Sequence, residues 1–148
     1  MADLDLVRSL VEQDNGLAVV ATTRADGTVQ ASVVNAGVLP HPVDGTEVVG
    51  MVARGDAVKL RHLRARPRAA VVFRAGWNWA SVEGPAALVG PDDTMAGIDE
   101  ERLRLLLREI FAAAGGTHDD LDEYDRVMAA ERRTAVLVHP ERVSTNRG

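Results

Sequence analysis

The stretch "LAVVATTRADGTVQASVVNAGVL", Leu17 to Leu39, has the composition of a β-hairpin. "LAVVATT" is small and β-branched, which suits a pleated strand. "RADG" follows, and its Asp26-Gly27 pair is a strong signal for a tight reversal. "TVQASVVNAGVL" then reads as the returning strand. Two strands joined this tightly must be antiparallel, because parallel strands need a long crossover.

The same grammar extends in both directions. Upstream, residues from about Asp3 to Asp14 predict a helix, with Leu6, Val7, Leu10 and Val11 as its apolar stripe and Gly16 punctuating its end. Downstream, "PHPVDG" is a loop with a second Asp-Gly turn, and "TEVVGMVA" is a third strand. Gly55-Asp56 can open a short helix with Asp56 as its cap, and Pro67 stops that helix. "RAAVVFRA" and "WNWASVEGPAALVG" are the fourth and fifth strands, with Gly84-Pro85 as a bend within the fifth. "DEERLRLLLREIFAAAG" is an amphipathic helix that buries Leu103, Leu106, Leu107 and Ile110. "LDEYDRVMAAER" is a second helix, and "TAVLVHPERVS" is a closing strand. Six short strands with few helices predict a mainly β protein with flanking helices, an antiparallel barrel rather than a doubly wound sheet. No linker, repeat or low-complexity run divides the chain, so residues 1–148 are expected to form one domain.

Composition narrows the function classes. The 148 residues are 46% hydrophobic and 26% charged, ordinary for a soluble protein. No apolar run approaches the roughly 20 residues of a membrane helix. The start "MADLDLVRSLVEQ" is acidic and amphipathic, unlike a secretory signal. The absence of cysteine excludes disulfides and thiolate metal sites, and makes a cytoplasmic location the default. A net charge of -5 argues against a general nucleic-acid binder.

The charge is unevenly distributed. From Arg54 to Arg74, seven bases face one acid, Asp56. A local basic patch on an acidic body suits a small anionic ligand better than a long polyanion. On a helix, Lys59, His62 and Arg66 fall within about 60° of one another, with Arg61 and Arg64 on a different edge. Leu60 and Leu63 take the buried side between them. A solvated helix whose arginines pair with carboxylates would explain such a run. Lys59, however, is the single lysine among sixteen arginines. A compact ammonium retained at one place, beside a helix terminus, points to a phosphate.

Other candidates carry less chemistry. Trp77 and Trp79, two residues apart, are expected on one face of a strand, as packing or as a wall for a planar ring. "THDDLDEYD", Thr117 to Asp125, has one histidine and five carboxylates, but its spacing fits no ordinary metal site. Thr117 or Asp119 as a helix cap, with acids in the first turn, accounts for it. With no cysteine, no G-x-S-x-G and no Walker or G-x-G-x-x-G motif, no catalytic residue stands out. Chemistry, if present, is expected from a bound cofactor.

Several segments, in order, carry a resemblance. "GLAVVATTRADGTVQAS", "KLRHLRARPRAAVVF", "SVEGPAALV", "HDDLDEYDRVM" and "RTAVLVHPERVS" together resemble the pyridoxamine 5′-phosphate oxidase-like split β-barrel proteins. Within them the chain looks like the B branch of the flavin/deazaflavin oxidoreductases, common in actinobacteria. The resemblance runs from about Gly16 to Ser144. It implies a homodimer of split barrels with cofactor sites at the interface, and either the deazaflavin coenzyme F420 or FMN as cofactor. The family's phosphate-binding lysine corresponds to Lys59 and its neighbouring arginine to Arg61. Gln30 and Ser32 match positions lining the ring pocket, and Met51 to Arg54 match the strand end beside the phosphate. Trp77 falls where members often place an aromatic near the cofactor. Two positions depart from the pattern: Ala57, where many members carry another base, and His62, where many carry asparagine. They leave F420, FMN and haem open, and imply a grip on phosphate that is either weaker or shared with Arg54 and His62.

The function this implies is an F420-dependent reductase. It would pass a hydride from reduced deazaflavin to an unsaturated small molecule such as an enone, a quinone or a biliverdin-like tetrapyrrole. An FMN-dependent oxidase or reductase on the same scaffold, and a non-catalytic coenzyme carrier, are the alternatives.

Overall fold

The computed structural model describes residues 4–146. Helix α1, Asp5–Gln13, buries Val7, Leu10 and Val11, and the expected start at Asp3 lies outside the described residues. Strands β1, Leu17–Thr23, and β2, Val29–Pro40, form the hairpin expected from the sequence, in register from Leu17↔Asn35 to Thr23↔Val29. The turn is locked by Asp26, whose carboxylate accepts from the Thr28 amide at 3.0 Å and its hydroxyl at 2.6 Å. Asp44 does the same for Thr46 in the second Asp-Gly turn.

Strand β3, Glu47–Ala53, helix α2, Val58–Ala65, and strands β4, Arg68–Ala75, and β5, Asn78–Val89, follow. Helices α3, Glu100–Ala113, and α4, Leu121–Ala130, precede β6, Thr134–Val138, and β7, Arg142–Thr145. The order β4-β1-β2-β3-β6-β5 closes through the β4–β5 pairing into a six-stranded antiparallel barrel. This is a split barrel: β2 and β5, at 12 residues each, run through both halves. β2 pairs with β1 over Val29–Asn35 and with β3 from Ala36 onward. β5 pairs with β4 up to Pro85 and with β6 from Ala86.

The barrel interior is one apolar cluster, closed at one end by Leu60 and Leu63 of α2. A second cluster lies outside β3 and β6, where α3 and α4 cover Leu39, Val48 and Leu137. Among the described residues, no helix is long and apolar enough to cross a membrane.

Four local expectations are corrected. Asp56 does not cap α2; Ala57 holds the cap position without a side-chain bond, and Asp56 instead lies 3.5 Å from Arg54. The cap of α4 is Asp120, which accepts from the Glu123 amide at 3.1 Å, rather than Thr117 or Asp119. The closing strand is split at His139–Glu141. There the chain crosses β5 so closely that a Cβ on Gly84 would sit 2.0 Å from the His139 carbonyl oxygen. Gly84 is thus a close-approach position. Finally, Trp77 and Trp79 do not share a strand face. Gly76 and Trp77 form the two-residue turn between Ala75 and Asn78, leaving Trp77 92% exposed at the hairpin tip.

Helices α3 and α4 are joined by Asp125, which accepts from Arg108 Nε at 2.9 Å and from Arg104 at 2.8 Å. The hydrogen bonds from Arg108, then those from Arg104, hold its carboxyl below the usual carboxylate range. A carboxylate with a depressed folded-state pKa stabilises above its unfolded pKa, near 3.9, and loses that contribution as pH falls. Asp125→Asn is therefore expected to lower the melting temperature at neutral pH, with the deficit shrinking as pH falls from about 6 toward about 2. Thermal melts across that range check this; a deficit that does not shrink would refute the linkage.

Candidate functional site

The split in the barrel makes the site. β2 and β3 pair from Ala36↔Met51 to Pro40↔Glu47 and then part. Val52 and Ala53 stay with β6, while Val33–Asn35 stay with β1. One edge of β2 is left without a strand partner there, and its backbone groups face a cleft. The cleft holds about 640 Å³. Val33–Asn35 and Val52–Arg54 form its strand walls, and Phe111 of α3 with Tyr124 and Met128 of α4 form the far wall. The Phe111 and Tyr124 rings lie 4.9 Å apart. Tyr124 donates its hydroxyl to the Leu107 carbonyl at 3.0 Å, and burial pushes its pKa up, so it is a neutral wall rather than a base.

The remaining end of the cleft is basic. Lys59, Arg54 and Arg133 line it, against a single carboxylate, Asp56. Lys59 stands in the first turn of α2, which has no acidic residue there and no side-chain cap. A helix N-terminus carries partial positive charge and unpaired amides. A lysine there has the wrong sign for the helix alone. Its ammonium is half-buried and has no hydrogen bond or salt bridge among the described residues. Burial, and secondarily the nearby Arg133, pull its pKa down. Uncapped amides and an unpartnered ammonium on one cleft form a site for an anion.

The other expected site residues lie elsewhere. His62 bonds through Nδ1 to the Thr22 hydroxyl at 2.9 Å, tying α2 to β1. Arg61 is exposed on another edge of α2 and does not line the cleft. Met51 is buried in the barrel core. Gln30 and Ser32 share the face of Val34 on β2 but do not themselves line the cleft. The Gln30 Oε1 atom is buried there without a partner. Trp77 is at the exposed hairpin tip and does not line the cleft. Of the eight, Lys59 and Arg54 come together. The later bases of the run are spent on structure: Arg64 forks onto Asp93 at 2.9 and 2.7 Å, Arg66 donates to the Thr23 carbonyl at 2.8 Å, and Arg68 pairs with Glu141.

Sequence reading missed Phe111, Tyr124, Met128 and Arg133. Their helical periodicity marks a buried face but not which side of which sheet receives it. The "THDDLDEYD" acids are also accounted for: His118 Nδ1 accepts from the Asp120 amide, Asp120 caps α4, and Asp125 clamps the two helices.

Beside the cleft, the outer face of the first half-barrel is bare and apolar. Val33, Val19, Val72 and Ser81 form one cross-strand row. Leu17, Val19 and Val33 are 47%, 39% and 67% exposed.

The sequence model described as pyridoxamine 5′-phosphate oxidase matches residues 5–147. No curated protein matches the chain. Among solved structures, a pyridoxamine 5′-phosphate oxidase-related, FMN-binding protein from Nostoc punctiforme aligns with a TM-score of 0.67 at 13% identity, over 100% of this chain and 87% of that one. A protein described as an F420 reductase aligns at 0.62 and 18% identity, over 93% of this chain and 94% of that one. HutZ, a heme storage protein from Vibrio cholerae, aligns at 0.56 and 15% identity, over 97% and 94%. At these identities the likeness is one of fold.

Proposed function

We propose that this protein, which belongs to the pyridoxamine 5′-phosphate oxidase family, is an oxidoreductase that uses coenzyme F420. The observation that carries the reading is the unpartnered Lys59 ammonium at the uncapped start of α2, opposite an apolar and aromatic wall. A cleft cationic at one end and apolar along its length suits a planar ring bearing a phosphate. The resemblance of the lysine-arginine segment to the B branch of the flavin/deazaflavin oxidoreductases favours the deazaflavin. An F420 reductase of the same fold is in keeping with it.

When bound in reduced form, the coenzyme supplies a hydride to an unsaturated organic substrate such as an enone, a quinone or a biliverdin-like tetrapyrrole. The residues of the chain bind and orient. Lys59 and the first amides of α2 hold the phosphate, with Arg54 at the rim. The unpaired edge of β2 offers backbone donors and acceptors to the polar rim of the ring. Phe111, Tyr124 and Met128 exclude water from its other side. The proton that completes the product comes from solvent, since no lining group is placed as a general acid.

The bare outer sheet face belongs to the same proposal. It is flat, apolar and continuous with the cleft through Val33, so a second copy of the chain is its natural cover. The working unit is then a homodimer in which each protomer closes the other's cleft. An FMN-dependent reaction is the second reading, favoured by the FMN-binding protein of the same fold.

Titration of the purified protein with F420 and with FMN, followed by ligand fluorescence, tests this. Micromolar F420 binding with negligible FMN binding is expected. The reverse preference would establish the second reading, and binding of neither would remove both. Tight F420 binding without turnover of any enone or quinone would leave a carrier.

A further inference from the structure

Arg133 is the cleft residue that neither the sequence pattern nor the role proposed for Lys59 explains. It comes from a different part of the chain, the three-residue turn Glu131–Arg133 between α4 and β6. That turn is tightly held. Arg132 adopts φ 49°, a left-handed conformation unfavourable for a residue with a side chain. The Arg132 and Arg133 amides donate back to Ala129 and Met128, and Arg132 pairs with Asp92. Gly55 presses against the turn, donating to the Glu131 carbonyl at 3.1 Å. A Cβ on Gly55 would fall 2.7 Å from the Arg132 carbonyl oxygen. The start of α2 and this turn are therefore fixed against each other, and with them the positions of Lys59 and Arg133.

The result is that Lys59 and Arg133 stand on one cleft, whose one lining carboxylate, Asp56, lies 3.5 Å from Arg54. Arg133 is close enough to Lys59 to disfavour its charge. Such an arrangement is costly alone and becomes favourable around an anion. Among the described residues Arg133 pairs with Glu131: its Nε donates to Oε1 at 2.8 Å, and a terminal nitrogen lies 2.8 Å from the same oxygen. One of its five N–H groups is used there, by an oxygen of its own turn. Arg133 also lines a second groove, between residues 89–104 and α4, so it stands at the wall the two cavities share.

We propose that Arg133 is the second cationic arm of the phosphate site, and that Glu131 is a built-in competitor that holds this arm until the phosphate arrives. The proposal rests on the anion-binding role of Lys59. It adds that the phosphate is held by two cationic arms, and that the affinity of the site is set by an ion pair which exchanges on binding. No covalent step is involved: Arg133 gives up one carboxylate oxygen and gains phosphate oxygens.

The test compares each phosphate-bearing ligand with its phosphate-free counterpart: FMN with riboflavin, and F420 with its deazaflavin lacking the phosphate arm. Arg133→Gln is expected to weaken the phosphate-bearing ligand about fivefold to tenfold and leave the phosphate-free one unchanged. Glu131→Gln, which frees the guanidinium, is expected to tighten the phosphate-bearing ligand about threefold. A purely structural Arg133 would weaken both ligands alike, and that outcome overturns the proposal. So does a Glu131→Gln variant that binds more weakly than the parent. If Lys59→Ala weakens binding while Arg133→Gln does not, this inference alone fails. If neither variant changes binding, the phosphate reading of the cleft fails with it.

Discussion

Lys59→Ala is expected to weaken binding of the phosphate-bearing cofactor at least about tenfold, or about 1.4 kcal/mol, while leaving the fold intact. In the free protein, the half-buried ammonium gains nothing visible from its position. It has no carboxylate partner, it faces Arg133, and it stands where the helix dipole opposes it. A lysine whose folded-state pKa lies below its unfolded value, near 10.4, destabilises the folded state while it is charged. That penalty is relieved as pH rises through the interval between the two values. Removing the side chain should therefore leave the melting temperature of the ligand-free protein unchanged or slightly higher. Binding and stability move in opposite directions, which separates a ligand site from a structural contact. Ligand titration and thermal melts of parent and variant measure both. An unchanged affinity would remove Lys59 from the site, and a sharp loss of stability would mean the lysine holds the fold.

The fold was legible where local chemistry dictates it. The Asp26-Gly27 turn, the small and β-branched composition of Leu17–Thr23, and the apolar stripes of α3 and α4 are short-range signals, and the barrel follows from them. Errors arose where a distant segment decides. Nothing in "TAVLVHPERVS" announces the break at His139–Glu141, because its cause is the crossing at Gly84. Trp77 left the strand because a two-residue turn leaves no room for it.

The site was legible only in part, for a related reason. Lys59 stood out by its singularity, and Arg54 by its place at a strand end. Arg61 and Arg64 looked equivalent in sequence, yet Arg64 is fixed by Asp93 from a loop 29 residues on. Arg133 carried no signal, since its importance comes from a strained turn packed on Gly55. In a split barrel the cleft is where strands part, and the point of parting is a matter of register. Register between β2 and β3 is set by the whole barrel, including the helices packed outside it.

Val19→Asp should separate the proposed dimer and, through it, the cofactor site. Val19 lies within the bare face, paired with Val33 on one side and Val72 on the other. Its side chain points away from the barrel interior, so the isolated protomer should fold with the charge in water. Against a second copy, the same carboxylate would be buried without a partner, once in each protomer. An unpaired charge buried in this way costs several kcal/mol, so the dimer dissociation constant should rise at least about a hundredfold. The consequence for the cleft follows from the sheet. Asn35, at the cleft, pairs with Leu17 at one side of the face, while Trp79 pairs with Arg74 at the other. A two-fold axis running along the strands would bring the tryptophan end of one protomer over the cleft end of its partner. Trp77, exposed in the free protomer and fixed at its backbone by Asn146, would then meet the partner's cofactor. The variant is thus expected to lose cofactor affinity together with the dimer, although position 19 is outside the cleft. Sedimentation velocity and ligand titration on one preparation test the link. A parent protein that is monomeric at micromolar concentration would overturn the dimer. A monomeric variant that binds cofactor as tightly as the parent would show that each cleft works alone.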